Sequence, residues 1–185
     1  MRTVGFSELG KVDLVGTGGN AAVVIAETLI AGTFNRDEAV SLGMWMARME
    51  PGYVPPFMVK KYRVIEAHEP PDAGAVTATI MLQYEGEDHH VAGDGDGPIN
   101  ALDNALRKVV GACVNDLVLG DYHVVVRRGQ ESGSAVRVQA FVDWEFGDWH
   151  FRTTGVATSV VEASWIAMVD AFEFIMVAGV KLPTR

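Results

Sequence analysis

Apolar and polar residues alternate along two stretches of the chain with the period of a β-strand. A strand turns successive side chains to opposite faces, so apolar residues at every second position predict a half-buried strand. The apolar positions are Val76, Ile80, Leu82 and Tyr84 in the first stretch and Val136, Val138, Val142 and Trp144 in the second. Glycine and acidic residues at 86–88 and 147–148 indicate hairpin turns, and short strands are predicted to follow at 89–93 and 149–154.

After each group of strands, the apolar spacing changes to that of a helix. The apolar stripes are Ile99, Leu102, Leu106 and Val109 in one helix and Trp165, Ile166, Val169 and Phe172 in the other. Pro98 stands where the first helical position tolerates a missing N–H. The run Ser159-Val160-Val161-Glu162 has the spacing of a capping box. Each group of strands is therefore predicted to run into a helix.

The two halves of this pattern form an internal repeat. Segment 75–110 aligns with segment 135–170 without a gap, and the same shift of 60 residues carries Tyr62 onto Tyr122. The units span 57–113 and 117–177, and each reads β-β-β-α. We therefore predict an α+β fold in which two βββα repeats form an antiparallel sheet covered by helices.

A helical segment is predicted before the repeats. Segments 20–32 and 35–50 carry helix-capping and helix-stop residues, and the sequence PGYVPP at 51–56 reads as a linker. The apolar face of the second helix is predicted to comprise Ala39, Leu42, Met46 and Met49. This pattern divides the chain into an N-terminal helical part, 1–54, and an α+β domain, 55–185.

Charge and cysteine content narrow the function classes. The chain has 185 residues and a formal net charge of −9, which argues against nucleic acid or an anionic membrane surface as a partner. No signal peptide is visible, and the single cysteine, Cys113, excludes an intrachain disulfide. These features fit a cytoplasmic protein, in which Cys113 is expected to be a small core residue.

The sequence GDGDGPINALDNALRKVV at 93–110 raises three chemical possibilities: a phosphate loop, a metal site or a simple helix start. It lacks the Lys-Ser/Thr of a P-loop, and its aspartates would repel a phosphate. His89, His90, Asp94 and Asp96 are suitable metal ligands, but adjacent strand residues such as the two histidines point to opposite faces. We therefore expect a glycine-rich helix start, with no metal and no cofactor.

The same segment resembles the Gly-x-Gly-Asn-Gly-Pro-(Val/Leu)-x-Ala-Leu helix start in the C-terminal regulatory domain of citramalate synthase and isopropylmalate synthase. DYHVVV (121–126) and TTGVATSVVEASWIAMVDAFEF (153–174) are similar to the second unit of that domain. PPFMVKKYRVI (55–65) resembles its first strand. The citramalate branch looks the closer of the two.

The resemblance implies a dimer that binds an end-product amino acid, isoleucine or leucine, at its interface and thereby inhibits a separate catalytic barrel. The chain is too short to include that barrel and has no His-x-His pair for its divalent metal. The implied partners are a second copy, a small-molecule effector and a catalytic synthase subunit. The chain alone is therefore not expected to catalyse the acetyl-CoA condensation.

Transferred position by position, the resemblance implies an effector site at two helix starts and one strand. Its residues are Gly95, Asp96, Gly97, Pro98, Ile99, Leu119, Tyr122, Val126, Gly155, Val156 and Ala157. Backbone N–H groups at helix starts can hold a carboxylate, and apolar side chains can hold a branched chain. The chain departs from the family at Asp96, which replaces asparagine and is expected to weaken carboxylate binding.

Several of these residues are equally consistent with a purely structural role. Tyr122 fits core packing as well as it fits ligand binding, and Gly95 and Gly155 fit a need for positive φ. Trp144, Trp149 and Phe151 form an aromatic group typical of a core or a dimer interface, although such a group can also line a pocket. An alternative function is a stand-alone enzyme that reuses the effector cavity, with His150 or His123 and Asp94 or Asp96 as acid–base groups.

Overall fold

The computed structural model describes residues 39–67, 75–127, 136–147 and 149–178. The elements follow the order α1-β1-β2-β3-α2-β4-β5-β6-α3. Their bounds are α1 Ala39–Met49, β1 Phe57–Ala67, β2 Ala75–Tyr84, β3 Glu87–Gly95, α2 Pro98–Val114, β4 Leu117–Val126, β5 Val138–Phe146, β6 Trp149–Ala157 and α3 Val160–Ala178. The predicted helix at 20–32 lies outside the described residues, and the boundary at 54/55 stays a prediction.

The strands form two antiparallel three-stranded sheets, ordered β1-β2-β3 and β4-β5-β6. The α+β class and the two βββα repeats are confirmed, and each repeat has its own sheet. Both first strands carry a register shift, between Val59 and Lys61 in β1 and between Leu119 and Asp121 in β4. These shifts are 60 residues apart, so the repeat extends to the irregularities of the backbone.

The first hairpin turns one residue earlier than its sequence suggests. Tyr84 pairs with Glu87, so the loop is Glu85-Gly86, and Glu87 already belongs to β3. Glu85 has φ 52° and Gly86 φ 83°. A two-residue hairpin with two positive φ values matches the right-handed twist of its strands.

The core lies between the sheets and the helices that cover them. In the first repeat, Ile80 and Leu82 of β2 are fully buried together with Leu102 and Leu106 of α2, as the predicted periodicities require. In the second repeat, the ring of Trp144 meets Phe172 of α3 edge-on with centroids 6.2 Å apart.

The aromatic group of the second hairpin therefore belongs to the core. Phe151 and Trp149 both contact Phe174 of α3, with ring centroids 5.1 and 6.2 Å apart. Trp144 places its indole N–H 2.8 Å from the hydroxyl of Thr153, so its one polar group is satisfied. Of the interpretations that the sequence allowed for these rings, core packing is the one observed.

Helix α3 is buried on nearly all sides, which its predicted apolar stripe did not capture. It packs against β5, β6, α1 and α2. Buried positions follow one another around the whole helix, among them Asp170 and Glu173, whereas Ile166 of the predicted stripe is exposed.

The predicted face of α1 is wrong for Met49. The buried side of α1 comprises Val40, Met44 and Ala47, whereas the side chain of Met49 is 64% exposed. This helix packs against α3 and β6, and that contact selects a face adjacent to the predicted one. Among the described helices, none has the length and apolar character needed to cross a membrane.

Cys113 is exposed, contrary to the prediction that it is a core residue. It stands near the end of α2, where its Sγ lies 3.7 Å from the hydroxyl of Tyr84. The apolar sequence around it belongs to the helix face next to it, so apolar neighbours in sequence did not imply burial.

Candidate functional site

The glycine loop that precedes α2 is fastened by side chains of the helix. The backbone N–H of Asp96 donates to Oδ1 of Asn100 at 3.2 Å, and Asn104 donates from Nδ2 to the carbonyl oxygen of Asp94 at 2.8 Å. Gly97 is the N-cap residue in extended conformation, and no side-chain hydrogen bond caps it within the described part of the chain. The first turn of α2 thus offers backbone N–H groups to an external acceptor.

The start of α3 differs from that of α2, although the two are equivalent in the repeat. The backbone nitrogen of Glu162 donates to the hydroxyl oxygen of Ser159 at 3.5 Å. This is one of the two hydrogen bonds of the predicted capping box. Helix α3 also carries Glu162 in its first turn, whereas α2 has no acidic residue there. An incoming carboxylate is therefore less favoured at α3 than at α2.

The predicted positive φ at Gly95 and Gly155 is wrong, because both glycines have another structural reason. Positive φ is found at Gly52, Gly86 and Gly147 among the described glycines. A Cβ at Gly155 would lie 2.0 Å from the carbonyl oxygen of Ala163, and one at Gly95 would lie 2.4 Å from the backbone N of Ala101. These glycines let each helix approach the last strand of its own sheet.

Tyr122 is half-buried on the helix-facing side of β4. Its hydroxyl lies 2.8 Å from Oγ of Ser164, and Ser164 donates its own proton to the carbonyl oxygen of Val160 at 2.7 Å. A serine hydroxyl has one proton, so Tyr122 is the donor in the bond between them. The tyrosine proton is thus engaged inside the chain, while its oxygen can still accept a hydrogen bond.

The other residues of the implied effector site lie in two places on the second sheet. Val126 and Ala157 both pair with Val138, and Gly155 pairs with Ala140 one step further along the same face. Val156 lies on the opposite face, since neighbouring strand residues alternate.

Leu119 stands at the other end of β4, opposite Trp144. Seven residues separate it from Val126, which corresponds to about 20 Å along a strand. Within one chain, the second sheet therefore places Val126, Gly155 and Ala157 near one end, with Tyr122 four residues from Val126 along β4 and Leu119 farther still.

The acid–base residues considered for catalysis are dispersed. His123 stacks on Phe141 with ring centroids 4.8 Å apart, and His150 has its Nδ1 3.9 Å from a carboxylate oxygen of Glu145. Their register partners on β5, Phe141 and Glu145, are four residues apart, or about 13 Å along the strand.

The two aspartates of that alternative belong to the other repeat. Asp94 accepts a hydrogen bond from the hydroxyl of Thr77 on the first sheet at 2.7 Å, and the side chain of Asp96 is exposed in the loop before α2.

His89 and His90 point to opposite faces of β3, as predicted. His89 pairs with buried Leu82 and approaches the ring of Tyr84, whereas His90 pairs with exposed Met81. In the described ranges, no group of three or more His, Cys, Asp or Glu side chains is placed to hold a metal ion.

A concave site that the sequence did not predict lies between β1 and α3. Its volume is about 350 Å³. Three charged residues line it: Arg48 from α1 and Asp170 and Glu173 from α3. Nη2 of Arg48 lies 2.5 Å from Glu173 and 2.8 Å from Asp170, and both carboxylates are almost entirely buried. Two buried acids thus share one guanidinium.

Burial changes the acid–base properties of this cluster. It raises the pKa of Asp170 to about 6, against the opposing effects of the Arg48 charge and the Ser41 hydroxyl. Burial acts to lower the pKa of Arg48, but its hydrogen bond to Glu173 and the charges of both acids raise it overall. Burial and a hydrogen bond of 2.5 Å to Glu173 raise the pKa of Tyr53. Arg48 and Tyr53 therefore keep their protons near neutral pH.

A sequence signal for this cluster exists in α3. Asp170 and Glu173 are spaced by three residues inside the otherwise apolar run MVDAFEFIMVA, which places both acids on one side of a helix whose other residues are apolar. Acids in such a helix need a cationic partner when the helix is buried on all sides. The partner, Arg48, is more than 120 residues earlier, so the pairing itself had no local signal.

Comparison with known proteins relates most of the chain to one group. Residues 44–176 match the family described as the LeuA allosteric (dimerisation) domain. An (R)-citramalate synthase of Geobacter sulfurreducens is 38% identical over 125 residues, which is 64% of this chain and 23% of that protein. An (R)-citramalate synthase of Aquifex aeolicus is 36% identical over 117 residues, covering 61% of this chain and 22% of that protein.

The similarity extends to the second branch of the resemblance. A 2-isopropylmalate synthase of Clostridium kluyveri is 29% identical over 116 residues, covering 62% of this chain and 20% of that protein. The chain thus spans between a fifth and a quarter of the length of these relatives.

Proposed function

This chain belongs to the LeuA allosteric (dimerisation) domain family, the regulatory domain of citramalate and isopropylmalate synthases, and from that premise we propose that it binds a branched-chain amino acid or a close analogue as a dimer. In this proposal the chain senses the effector and a catalytic synthase partner responds to it. It does not itself perform the acetyl-CoA condensation.

The observation that carries the proposal is the start of α2. Its N-cap is Gly97 in extended conformation, its first turn contains no acid, and no side chain caps it among the described residues. Pro98 at the first helical position presets this geometry. Such a turn can receive the carboxylate of an amino acid, because its N–H groups and the helix dipole both favour an anion.

An apolar wall for the side chain of the effector is available in the second repeat. Val126, which is 63% exposed, stands in register with Val138 on β5, and Val138 in turn pairs with Ala157 at the end of β6. Val160 at the start of α3 is also exposed. We propose that this corner and the loop 95–99 meet across the dimer, so that one copy holds the carboxylate and the other holds the branched chain.

Asp96 sets the strength of this interaction. Its backbone N–H is taken by Asn100, and its exposed carboxylate stands one residue before the uncapped turn. A negative charge at that place opposes an incoming carboxylate.

Calorimetric titration of the full chain with isoleucine and with leucine tests the proposal. Replacing Asp96→Asn removes the charge and keeps the size, so affinity should rise roughly tenfold, equivalent to about 1.4 kcal/mol. The matched control is Asp116→Asn, which removes a charge from the exposed turn after α2 and should leave affinity unchanged. If neither the wild type nor Asp96→Asn binds either amino acid, the proposed effector site is wrong.

A further inference from the structure

The face of the first sheet that is turned away from α2 carries a further concavity. Ile80 and Leu82 of β2 are buried against α2, so the residues that alternate with them lie on the outer face. The concavity on this face has a volume of about 310 Å³. The side chains of the outer face that line it are Lys61, Arg63, Ile65, Thr79, Met81 and His90. Basic groups and apolar groups therefore share one concave surface.

The basic side chains of this concavity are neighbours in the sheet. Lys61, Met81 and His90 form one row across β1, β2 and β3, and Arg63 lies two residues further along β1 on the same face. Neighbouring strands are about 4.8 Å apart, and residues i and i+2 of a strand are about 6.7 Å apart. One small molecule that lies over Met81 can therefore contact all three basic side chains.

The positive charges at this place have no counter-charge of their own. Across the described residues, neither Lys61 nor Arg63 makes a hydrogen bond or an ion pair through its side chain. Of the acids on the same face, Asp88 is paired with Lys60 at 2.5 Å, and Asp94 accepts a hydrogen bond from a threonine of β2. An uncompensated positive cluster thus exists on a chain whose formal net charge is −9.

The second repeat shows the same place with its charges neutralised internally. The shift of 60 residues carries Gln83 and Ala92 onto Asp143 and Arg152. Arg152 donates from Nη2 to Oδ2 of Asp143 at 2.6 Å, and its guanidinium lies 5.9 Å from the centre of the Phe141 ring. In the first repeat, alanine and glutamine cannot form that ion pair, and the small alanine leaves the space above the strands open.

The charge at the edge of this place is also reversed between the repeats. Lys61 corresponds to Asp121 under the same shift. The outer face of the second sheet therefore combines acids with an internally paired arginine, whereas the outer face of the first sheet presents lysine and arginine to a concavity. This difference between two copies of one backbone arrangement indicates that the first copy takes its counter-charge from outside the chain.

We propose that the outer face of the first sheet binds the dianionic group of a small organic molecule, a phosphate ester or a dicarboxylate, with Lys61 and Arg63 as its contacts. Ammonium and guanidinium groups donate charge-assisted hydrogen bonds to the oxygens of both kinds of anion. The apolar part of the molecule rests on Ile65 and Met81, which are 53% and 40% exposed. The net charge of the chain disfavours a large polyanion such as nucleic acid. The cluster shares no residue with the loop 95–99, so this inference does not rest on the proposed effector site.

Calorimetry of the full chain at pH 8 and low salt, where exposed charges are least screened, is the direct test. The probes are butyl phosphate, succinate and butane-1,4-diol, which have the same number of carbon atoms and differ in charge. At least one dianion should bind at least tenfold more tightly than the diol. Binding of butyl phosphate identifies a phosphate ester as the ligand class, and binding of succinate identifies a dicarboxylate. If neither dianion binds at millimolar concentration, the inference is wrong.

A single substitution tests the assigned contacts. Arg63→Gln removes one positive charge from an exposed strand position and should weaken dianion binding at least tenfold. Arg127→Gln is the matched control, because Arg127 is also exposed but follows β4 in the other repeat, and it should match the wild type. Equal weakening by both variants would show a general charge effect and would overturn the site.

A double substitution tests the comparison between the repeats. Gln83→Asp together with Ala92→Arg introduces the ion pair of the second repeat, leaves the net charge unchanged and keeps all three basic residues of the cluster. It should abolish dianion binding, because the arginine side chain fills the concavity, and full binding by this variant would contradict the proposed place. Leucine titrations of Arg63→Gln should match the wild type, so failure of the effector site and failure of the dianion site give different results.

Discussion

At the scale of single residues, Asp170 shows how burial and pairing compete. Its carboxylate lies beside the guanidinium of Arg48, yet burial raises its pKa to about 6. The loss of hydration therefore outweighs the attraction of the neighbouring charge. An acid with a raised pKa in the folded state binds its proton more tightly there than in the unfolded chain, whose pKa is near 3.8.

The raised pKa of Asp170 makes the stability of the chain depend on pH. Between about pH 4 and about pH 6 the folded state holds more protons at Asp170, so the contribution of this residue to stability falls as pH rises. The free energy of unfolding of the wild type should fall by about 2 kcal/mol relative to Asp170→Asn between about pH 4 and about pH 7.5. Urea titrations across this range measure the difference, with Asp116→Asn as the control that parallels the wild type. Parallel curves for the wild type and Asp170→Asn would contradict the raised pKa.

Individual side-chain environments were the least predictable level. The residues next to Cys113 in the sequence do not predict that it is exposed. Those next to Tyr122 do not predict that its hydroxyl donates to Ser164, which is 42 residues away. Such environments depend on contacts between distant segments. By contrast, the opposite orientation of His89 and His90 follows from strand geometry alone and was predicted correctly.

At the scale of secondary-structure elements, the helices lie directly on the last strand of each repeat because glycines leave room for them. A Cβ at Gly155 would meet the carbonyl oxygen of Ala163 at 2.0 Å, and one at Gly93 would meet the backbone N of Ala105 at 2.4 Å. Backbone atoms cannot rotate away as the end of a side chain can, so each clash would force a helix from its strand.

We predict that Gly155→Ala destabilises the chain by about 3 kcal/mol, the upper range for overpacking. Gly97→Ala is the matched control, since a Cβ there meets nothing within 4 Å and its φ of −162° suits any residue. Thermal and urea unfolding of the two variants give the comparison. Equal stability of Gly155→Ala and the wild type would show that α3 can move off β6 at little cost.

Element types were predictable wherever one periodicity dominated. Alternation located β2 and β5, and helical spacing located α2, because each of these elements buries a single face. Helix α3 has no such single face, since burial on nearly all sides removes the stripe. The buried face of α1 is not determined locally either, because the position of α3 and β6 selects that face.

At the scale of the whole molecule, β4 is the feature that points to assembly. It lies at the edge of its sheet, and Val118, Leu119, Val125 and Val126 on it are all exposed. An edge strand with exposed apolar side chains is a template for contact with another chain. The family match to a dimerisation domain supports self-association, and we place the contact at β4.

Light scattering should therefore report about twice the 20.0 kDa of one chain. Val126→Lys should weaken the dimer at least tenfold, because it puts a charge into the contact. Val54→Lys is the control, as Val54 is also highly exposed but lies before β1. A dimer unaffected by Val126→Lys would move the interface away from β4, and a monomer at all concentrations would refute self-association.

The contacts of α3 with the first repeat have a consequence for folding. The ring of Trp165 lies 5.3 Å from that of Tyr62 on β1, and the guanidinium of Arg107 on α2 lies 5.1 Å from the ring of Phe172. A duplicated architecture invites the view that each copy is an autonomous folding unit, able to melt while the other stays native. Here the last helix of the second copy completes the core of the first. Unfolding of one repeat exposes apolar surface of the other, so the two repeats are expected to unfold together in one cooperative transition.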